Sequence, residues 1–294
     1  MKKKIAKTIV GIILLIVALI LLVVTFFFVM DIESKAPEKI EIDCNLETQE
    51  FIGRKVFILT PKNTQKTNKV ILYLHGGSYV AETSNAHWDF LERIVNDTGV
   101  TVILPDYPLT PKYTYKDVFT MITPLYKEII EEVDTNNLIL MGDSAGGGMA
   151  LALAEKIGEE NVKMPSKTIL ISPWIDVRLE NPEIDEVQKE DKELNKESLK
   201  IAGVAYAGED GIDSYLVNPI DGNLSKLKNV TILTGTNDIL NPDVHVLQEK
   251  AEQVNVNIDI KEYEGAGHIW IINNNSSKEL VEQGYNDLKN LINK

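Results

Sequence analysis

The sequence predicts an α/β fold, built on a mostly parallel central sheet with helices on both faces. Short apolar runs that are typical of strands recur along the chain, and segments of helical periodicity separate most of them. In a parallel sheet covered on both faces neither face meets water, so its strands are continuous apolar runs of this kind. Glycines and polar residues follow several of the runs, at the strand ends where function gathers in open α/β sheets.

The N-terminal segment is expected to be one transmembrane helix at residues 8–30, preceded by a Lys-rich cytoplasmic tip. No charged residue lies between Lys7 and Asp31, and these 23 positions would form about 35 Å of helix, enough to cross a bilayer. Lysines precede the segment and acidic residues follow it, so the positive-inside rule predicts an extracytoplasmic catalytic domain. A cleavable signal peptide is the alternative. Its apolar region is usually only about 7–15 residues long and ends in an A-x-A-like site, which TFFFVMDIES lacks.

The rest of the chain is divided into a linker at 31–50, which could contribute to a cap, and a catalytic domain at 51–294. An acidic stretch followed by LKIAGVAYAG interrupts the α/β alternation at about 178–213. The predicted strands lie at 55–59, 69–75, 100–105, 138–141, 167–172, 230–235 and 256–264.

Composition excludes several classes of function. Cys44 is the only cysteine, so the chain has no internal disulfide and no multi-cysteine metal site. Its four histidines show no metal-ligand spacing, and no cofactor is predicted. The net charge of −14 argues against a nucleic-acid partner, since phosphate binding needs a basic face. Nothing in the sequence indicates an oligomeric state.

The stretch LILMGDSAGGGMALALA, residues 138–154, places Ser144 at a predicted turn from strand to helix. It fits G-x-S-x-G, in which a strained backbone lifts the serine hydroxyl clear of the strand. Gly142 and Gly146 carry no side chains that would block neighbouring elements, and the N–H groups that open the next helix favour a negative charge. An ordinary glycine-rich βα turn remains the alternative on this motif alone.

Two further residues complete a serine, acid, histidine order along the chain. Asp238 follows the predicted strand VTILTG, and His268 lies in EGAGHIW after the last predicted strand. This order is one of the known arrangements of a catalytic triad. Asp243 is an alternative acid, but it is expected instead to cap the helix that begins near Asn241 and Pro242.

Six motifs now resemble one family in their sequence and their order. HGGSY, DYPLTP, GDSAGGG, SPWIDV, GTNDIL and GAGHIW resemble the hormone-sensitive-lipase-like esterases of the α/β-hydrolase fold, from about Val56 to the C-terminus. The resemblance implies that Ser144 is the nucleophile, that His268 is the general base, and that Asp238 orients the histidine and stabilises its cation.

The same resemblance implies an oxyanion hole in the turn Gly76, Gly77 and Ser78. Backbone N–H groups of Gly77 and Ser78 would act together with that of Ala145. Ser78 departs from the third glycine that the family most often has; because the donors are backbone groups, a small serine should be tolerated. In the family, the insertion at 178–213 forms a helical cap over the active site, although a solvated surface helix without a substrate role is the alternative.

Other polar residues near these motifs are assigned structural roles. His75 is expected to hydrogen-bond within the oxyanion turn, whereas His87 and His245 are expected at the surface. Asp143 and Asp106 are expected to bind backbone donors and to take no part in proton transfer.

The sequence therefore predicts a membrane-anchored serine esterase that cleaves carboxylic esters without a cofactor. The resemblance favours short acyl chains, although a lipid ester is equally reachable from a membrane-tethered domain. A peptidase or amidase on the same triad is the alternative. A non-catalytic binder, similar to the plant gibberellin receptors, would normally lack a triad member, and all three are present here.

Overall fold

The computed structural model describes residues 43–294. The predicted transmembrane helix at 8–30, and the predicted linker as far as residue 42, lie outside the described residues. Between residues 43 and 294, no helix combines the length and the apolar character that a membrane span requires.

The centre of the fold is an eight-stranded sheet with the order β1-β2-β4-β3-β5-β6-β7-β8. Strands β3 to β8 run parallel, and only β2 runs against them, since β2 pairs antiparallel with both β1 and β4. The strands are β1 (Cys44–Phe51), β2 (Arg54–Pro61), β3 (Val70–Leu74), β4 (Thr101–Pro105), β5 (Leu138–Asp143), β6 (Lys167–Ile171), β7 (Val230–Gly235) and β8 (Ile258–Tyr263).

Helices cover both faces of this sheet, as predicted. One apolar core includes α2, α3, α5 and α6, and the other, on the opposite face, includes α1, α7 and α8. The described helices are α1 (Asn85–Thr98), α2 (Tyr115–Glu132), α3 (Ser144–Glu159), α4 (Ile184–Val187), α5 (Lys196–Ala207), α6 (Asn241–Gln253), α7 (Trp270–Asn273) and α8 (Lys278–Asn293), with short 3₁₀ turns at 135–137, 219–221 and 224–226.

Strand β1 corrects only the last part of the predicted linker at 31–50, because residues 44–50 pair with β2 in the sheet. Only Cys44 is fully buried along this strand, Leu46 and Phe51 are half-buried, and the five remaining residues are exposed. An edge strand of this kind gives too weak an apolar signal for its period to be recognised. The seven strands that the sequence did predict are all present, with bounds shifted by at most two residues.

Candidate active site

Ser144 lies where β5 ends and α3 begins, in the strained turn that G-x-S-x-G predicts. Its φ of 50° is in the left-handed region that side chains other than glycine avoid. A Cβ on Gly142 would lie 2.4 Å from the carbonyl oxygen of Gly146, and a Cβ on Gly146 would lie 2.0 Å from that of Leu74. The turn is therefore sterically possible only because both positions are glycine.

Ser144, His268 and Asp238 form one hydrogen-bonded chain. His268 Nε2 lies 2.8 Å from Ser144 Oγ, and His268 Nδ1 lies 2.8 Å from Asp238 Oδ2. The three side chains are buried. This is the geometry in which a histidine can take the serine proton while a carboxylate fixes its tautomer.

The electrostatic surroundings of His268 favour its cation. Burial lowers the pKa of His268, but the charge and the hydrogen bond of Asp238, together with the charges of Asp191 and Glu193, outweigh it, so that the pKa is raised above its usual value. The imidazolium that would form during the reaction is therefore stabilised.

Asp238, rather than Asp243, contacts the histidine. Asp243 lies in the first turn of α6, where its Oδ1 accepts a hydrogen bond of 3.1 Å from Asn181. The prediction that Asp243 caps this helix is wrong, because the cap position is Leu240 and no side chain caps it. Burial raises the pKa of Asp243 to about 7.

Three backbone N–H groups near Ser144 are free to bind an oxyanion. The carbonyl of Gly77 accepts bonds from the N–H groups of Val80 and Ala81, at 3.0 and 2.9 Å. Within the described part of the chain, the N–H groups of Gly77 and Ser78 have no acceptor. The N–H of Ala145 is at the start of α3, where the Asp143 side chain makes no cap bond.

Gly76 does not belong among these donors. Its N–H donates to Asp143 Oδ1 at 2.9 Å, and so it is not available to a substrate. A Cβ on Gly76 would lie 2.2 Å from Asp143 Oδ2. Gly76 therefore lets the oxyanion turn approach the Asp143 carboxylate, which corrects the prediction that this residue is part of the hole.

Asp143 is the anchor of the oxyanion turn. Besides Gly76, it accepts a hydrogen bond of 2.6 Å from Tyr73 Oη and lies 3.2 Å from His87 Nε2. Burial raises the pKa of Asp143, but the charge and hydrogen bond of His87 and the bond from Tyr73 lower it more, so the net shift is downward. The carboxylate binds side chains as well as the predicted backbone donor.

The prediction that His87 lies at the surface is wrong. It is 5% exposed, because it takes part in the capping box of Ser84 at the start of α1 and reaches inward to Asp143. His245 is exposed, as predicted. Asp106 is paired with the Arg54 guanidinium at 3.2 Å, a side-chain partner that the sequence did not indicate.

His75 has the structural role that was predicted for it. Its Nδ1 lies 2.6 Å from the carbonyl oxygen of Gly76, and its ring stacks on Tyr107 with centroids 4.3 Å apart. Burial and the neighbouring His87 lower the pKa of His75 to about 4, so the ring is neutral at physiological pH.

The insertion after β6 packs against the turn that follows β3. Tyr206 on α5 stacks on Tyr79, with centroids 3.7 Å apart and planes 2° from parallel. Tyr79 directly follows Ser78, so the insertion touches the turn that carries the N–H groups of Gly77 and Ser78. Sequence reasoning did not identify Tyr79, Tyr206 or Asp191. An aromatic residue in a turn or an apolar helix, or one acid among many, does not reveal in the sequence which distant residues it contacts.

The alpha/beta hydrolase fold family model matches residues 71–272. The chain belongs to that family. An esterase of Acinetobacter venetianus is 30% identical over 207 residues, which are 69% of this chain and 68% of that protein. An acetyl-hydrolase of Streptomyces hygroscopicus is 23% identical over 207 residues, 70% of this chain and 69% of that protein.

Solved structures share the fold of this α/β hydrolase. A crystal structure from Staphylococcus aureus has a TM-score of 0.82 at 26% identity, covering 88% of this chain and 87% of that one. An esterase of the bacterial hormone-sensitive lipase family has a TM-score of 0.78 at 23% identity, covering 86% and 84%. Among residues 43–294 of this hydrolase, no group of three His, Cys, Asp or Glu side chains is arranged to hold a metal ion.

Proposed function

We propose that this protein is a membrane-anchored serine esterase that cleaves short-chain carboxylic esters through an acyl-enzyme on Ser144. The chain is a carboxylic ester hydrolase by its family and by its esterase and acetyl-hydrolase relatives. The observation that carries the proposed mechanism is the hydrogen-bonded chain from Asp238 through His268 to Ser144 Oγ.

In the acylation half of the proposed reaction, Ser144 Oγ attacks the ester carbonyl and its proton passes to His268 Nε2. The carbonyl oxygen becomes an oxyanion, which the N–H groups of Gly77, Ser78 and Ala145 would stabilise. The tetrahedral intermediate collapses when the bond to the leaving oxygen breaks and His268 returns the proton to that oxygen. Alcohol departs, and the acyl group remains on Ser144.

The deacylation half repeats these steps with water. His268 takes a proton from water, the hydroxide attacks the acyl carbonyl, and the second tetrahedral intermediate breaks its bond to Ser144 Oγ. The proton goes back to Ser144, and the carboxylic acid is released. Asp238 holds Nδ1 protonated throughout and stabilises the imidazolium without taking the proton.

The test of the nucleophile is labelling by a fluorophosphonate. Mass spectrometry should place the adduct on Ser144, and an adduct on any other serine would refute the assignment. Rates on p-nitrophenyl esters of increasing chain length, compared with amino-acid anilides, test the substrate class. We expect the acetyl or butyryl ester to be fastest; faster anilide cleavage would indicate a peptidase or amidase.

The membrane anchor of the proposal rests on residues 8–30 alone, whose uncharged run and Lys-rich flank favour an extracytoplasmic domain. Protease added to intact cells should digest the catalytic domain while the first residues remain protected. A domain that becomes accessible only after lysis would reverse the orientation, and a fully extractable protein would exclude the anchor.

A further inference from the structure

The insertion reaches the catalytic acid through Asp191, a side chain that the proposed mechanism does not use. Asp191 is 9% exposed, and its Oδ2 accepts a hydrogen bond of 3.0 Å from the N–H of Ile239. Its Oδ1 accepts bonds from the N–H groups of Glu193 and Leu194, at 2.8 and 2.9 Å. Both carboxylate oxygens of Asp191 therefore accept hydrogen bonds. Oδ1 binds backbone N–H groups within the insertion, and Oδ2 binds the turn that carries Asp238.

The bond to Ile239 fixes the residue next to Asp238. Asp238 Oδ1 accepts a hydrogen bond of 2.9 Å from the N–H of Leu240, while its Oδ2 faces His268 Nδ1 at 2.8 Å. Ile239 lies between Asp238 and Leu240, and its N–H donates to Asp191. The turn from 238 to 240 is thus held on both sides of the carboxylate that orients the histidine.

Glu193 makes the corresponding contacts to the loop of the histidine. Its carboxylate accepts hydrogen bonds from the side-chain amides of Asn273 and Asn275. The Asn275 amide also donates to the carbonyl of His268 at 3.1 Å. A Cβ on Gly267 would lie 3.0 Å from Glu193 Oε1, which shows how closely the two segments approach.

We infer that the segment Asp191–Glu193 is a positioning clamp, which holds the turn of the triad acid and the loop of the triad histidine in register. The inference rests on the proposed function, since it assigns these residues to the support of the proposed triad. Because one segment contacts both parts, a change in it should misplace the two relative to each other. Positional errors of this kind can cost catalysis steeply without weakening substrate binding.

The clamp also contributes charge. Among the described residues, three acidic side chains raise the pKa of His268 against the effect of burial: Asp238 in the turn after β7, and Asp191 and Glu193 in the insertion. Removal of one negative charge should make the imidazole easier to deprotonate. The rising limb of kcat/KM against pH should then move to lower pH.

The test is Asp191→Asn in the full-length protein, with Glu190→Gln as its matched control. Glu190 is one residue away and exposed, and its side chain has no partner among the described residues. Asp191→Asn should lower kcat by about 10- to 100-fold with KM nearly unchanged. It should also shift the acid limb, the rise of kcat/KM with pH, to lower pH. Glu190→Gln should leave both as in the wild type.

A purely architectural role for Asp191 would lower the melting temperature and leave the acid limb in place, and that result would overturn the inference. If Asp191→Asn does not fold, Glu193→Gln, at an exposed position, should still shift the limb downward; an unshifted limb would again overturn it. Fluorophosphonate labelling of the wild type separates the two hypotheses. Absence of a Ser144 adduct refutes the proposed function, whereas a labelled Ser144 with unchanged variants refutes the clamp alone.

Discussion

Two buried histidine–carboxylate pairs lie close to Ser144, and only one of them can serve as a base. His268 meets Asp238 at 2.8 Å and presents its other nitrogen to Ser144 Oγ, also at 2.8 Å. His87 meets Asp143 at 3.2 Å, but its other nitrogen faces Ser84 in the capping box of α1. Burial beside a carboxylate does not make a histidine catalytic; what matters is which group occupies the second nitrogen.

The two carboxylates differ in the same way. Asp143 binds Tyr73, the N–H of Gly76 and His87, so that it ties β3, the oxyanion turn and α1 together. In the described part of the chain, the Asp238 carboxylate binds only the N–H of Leu240 and the ring of His268. We therefore expect loss of Asp238 to act on the chemistry, and loss of the Asp143 network to act on the position of the oxyanion donors.

The largest expected effect is that of Ser144→Ala. Removal of the nucleophile should lower kcat for ester hydrolysis by about 10⁶-fold, as removal of a triad serine does elsewhere. The left-handed φ at this position makes alanine no worse than serine, so the melting temperature should stay close to that of the wild type. Residual rates above those of the uncatalysed reaction would report the oxyanion donors; a nearly active variant would exclude the proposed mechanism.

Asp238→Asn comes next, with a loss of up to about 10⁴-fold in kcat on the serine-protease precedent. The amide keeps the shape of the carboxylate but removes the charge and permits the wrong histidine tautomer. Steady-state rates from pH 5 to 9 would measure the loss. Retention of most of the activity would mean that Asp238 does not orient His268, and the contrast between the two pairs would fail.

His87→Gln should have a smaller effect, of a different kind. Loss of the contact to Asp143 should cost about 1–3 kcal/mol of unfolding free energy and should lower kcat about tenfold or less by loosening the oxyanion turn. His245→Gln is the control, because His245 lies at the surface beside Glu262. Denaturant unfolding would measure the loss of stability, and kcat on one ester would measure the loss of activity. A loss as large as that of Asp238→Asn would give His87 a catalytic role.

The pH profile sharpens the comparison further. In the proposed mechanism neutral His268 is the active form, so kcat/KM should rise with pH through one apparent ionisation above about 6.5, since the net pKa shift of His268 is upward. His75, whose pKa is about 4 and whose role is structural, should add no second limb between pH 5 and 9. A midpoint below the usual histidine value would contradict the charge balance that the structure gives His268.

The sequence predicted those parts of the site that local backbone geometry determines. The glycines around Ser144 and the strand before Asp238 are local patterns, and the structure has the strained turn and the strand at those positions. Ser144, Asp238 and His268 are distant in sequence, and their grouping was predicted from chain order and the family resemblance instead. Gly76 and His87 were misassigned because their roles depend on Asp143, which is distant from both in sequence. Strand β1 was missed because most of its side chains face water, and Asp191 because its partner Ile239 is 48 positions away.

The smallest expected effect on activity is that of Asp243→Asn, which tests a third buried carboxylate that faces no histidine. Its Oδ1 accepts the Asn181 amide, while its Oδ2 has no hydrogen-bond partner among the described residues. The pKa of about 7 lies above the unfolded value of about 3.9, so the folded state binds the proton more tightly.

Asp243 therefore stabilises the fold fully only below about pH 4, and this contribution is lost as the pH rises to about 7. Asparagine keeps the acceptor for Asn181 and removes the ionisable group. Asp243→Asn should then raise the unfolding free energy at pH 8 by roughly 1–4 kcal/mol, with no gain at pH 4, while kcat changes less than about twofold. Denaturant unfolding at both pH values checks the stability. Large loss of activity in this variant, together with an active Asp238→Asn, would mean that the acid of the triad has been misassigned.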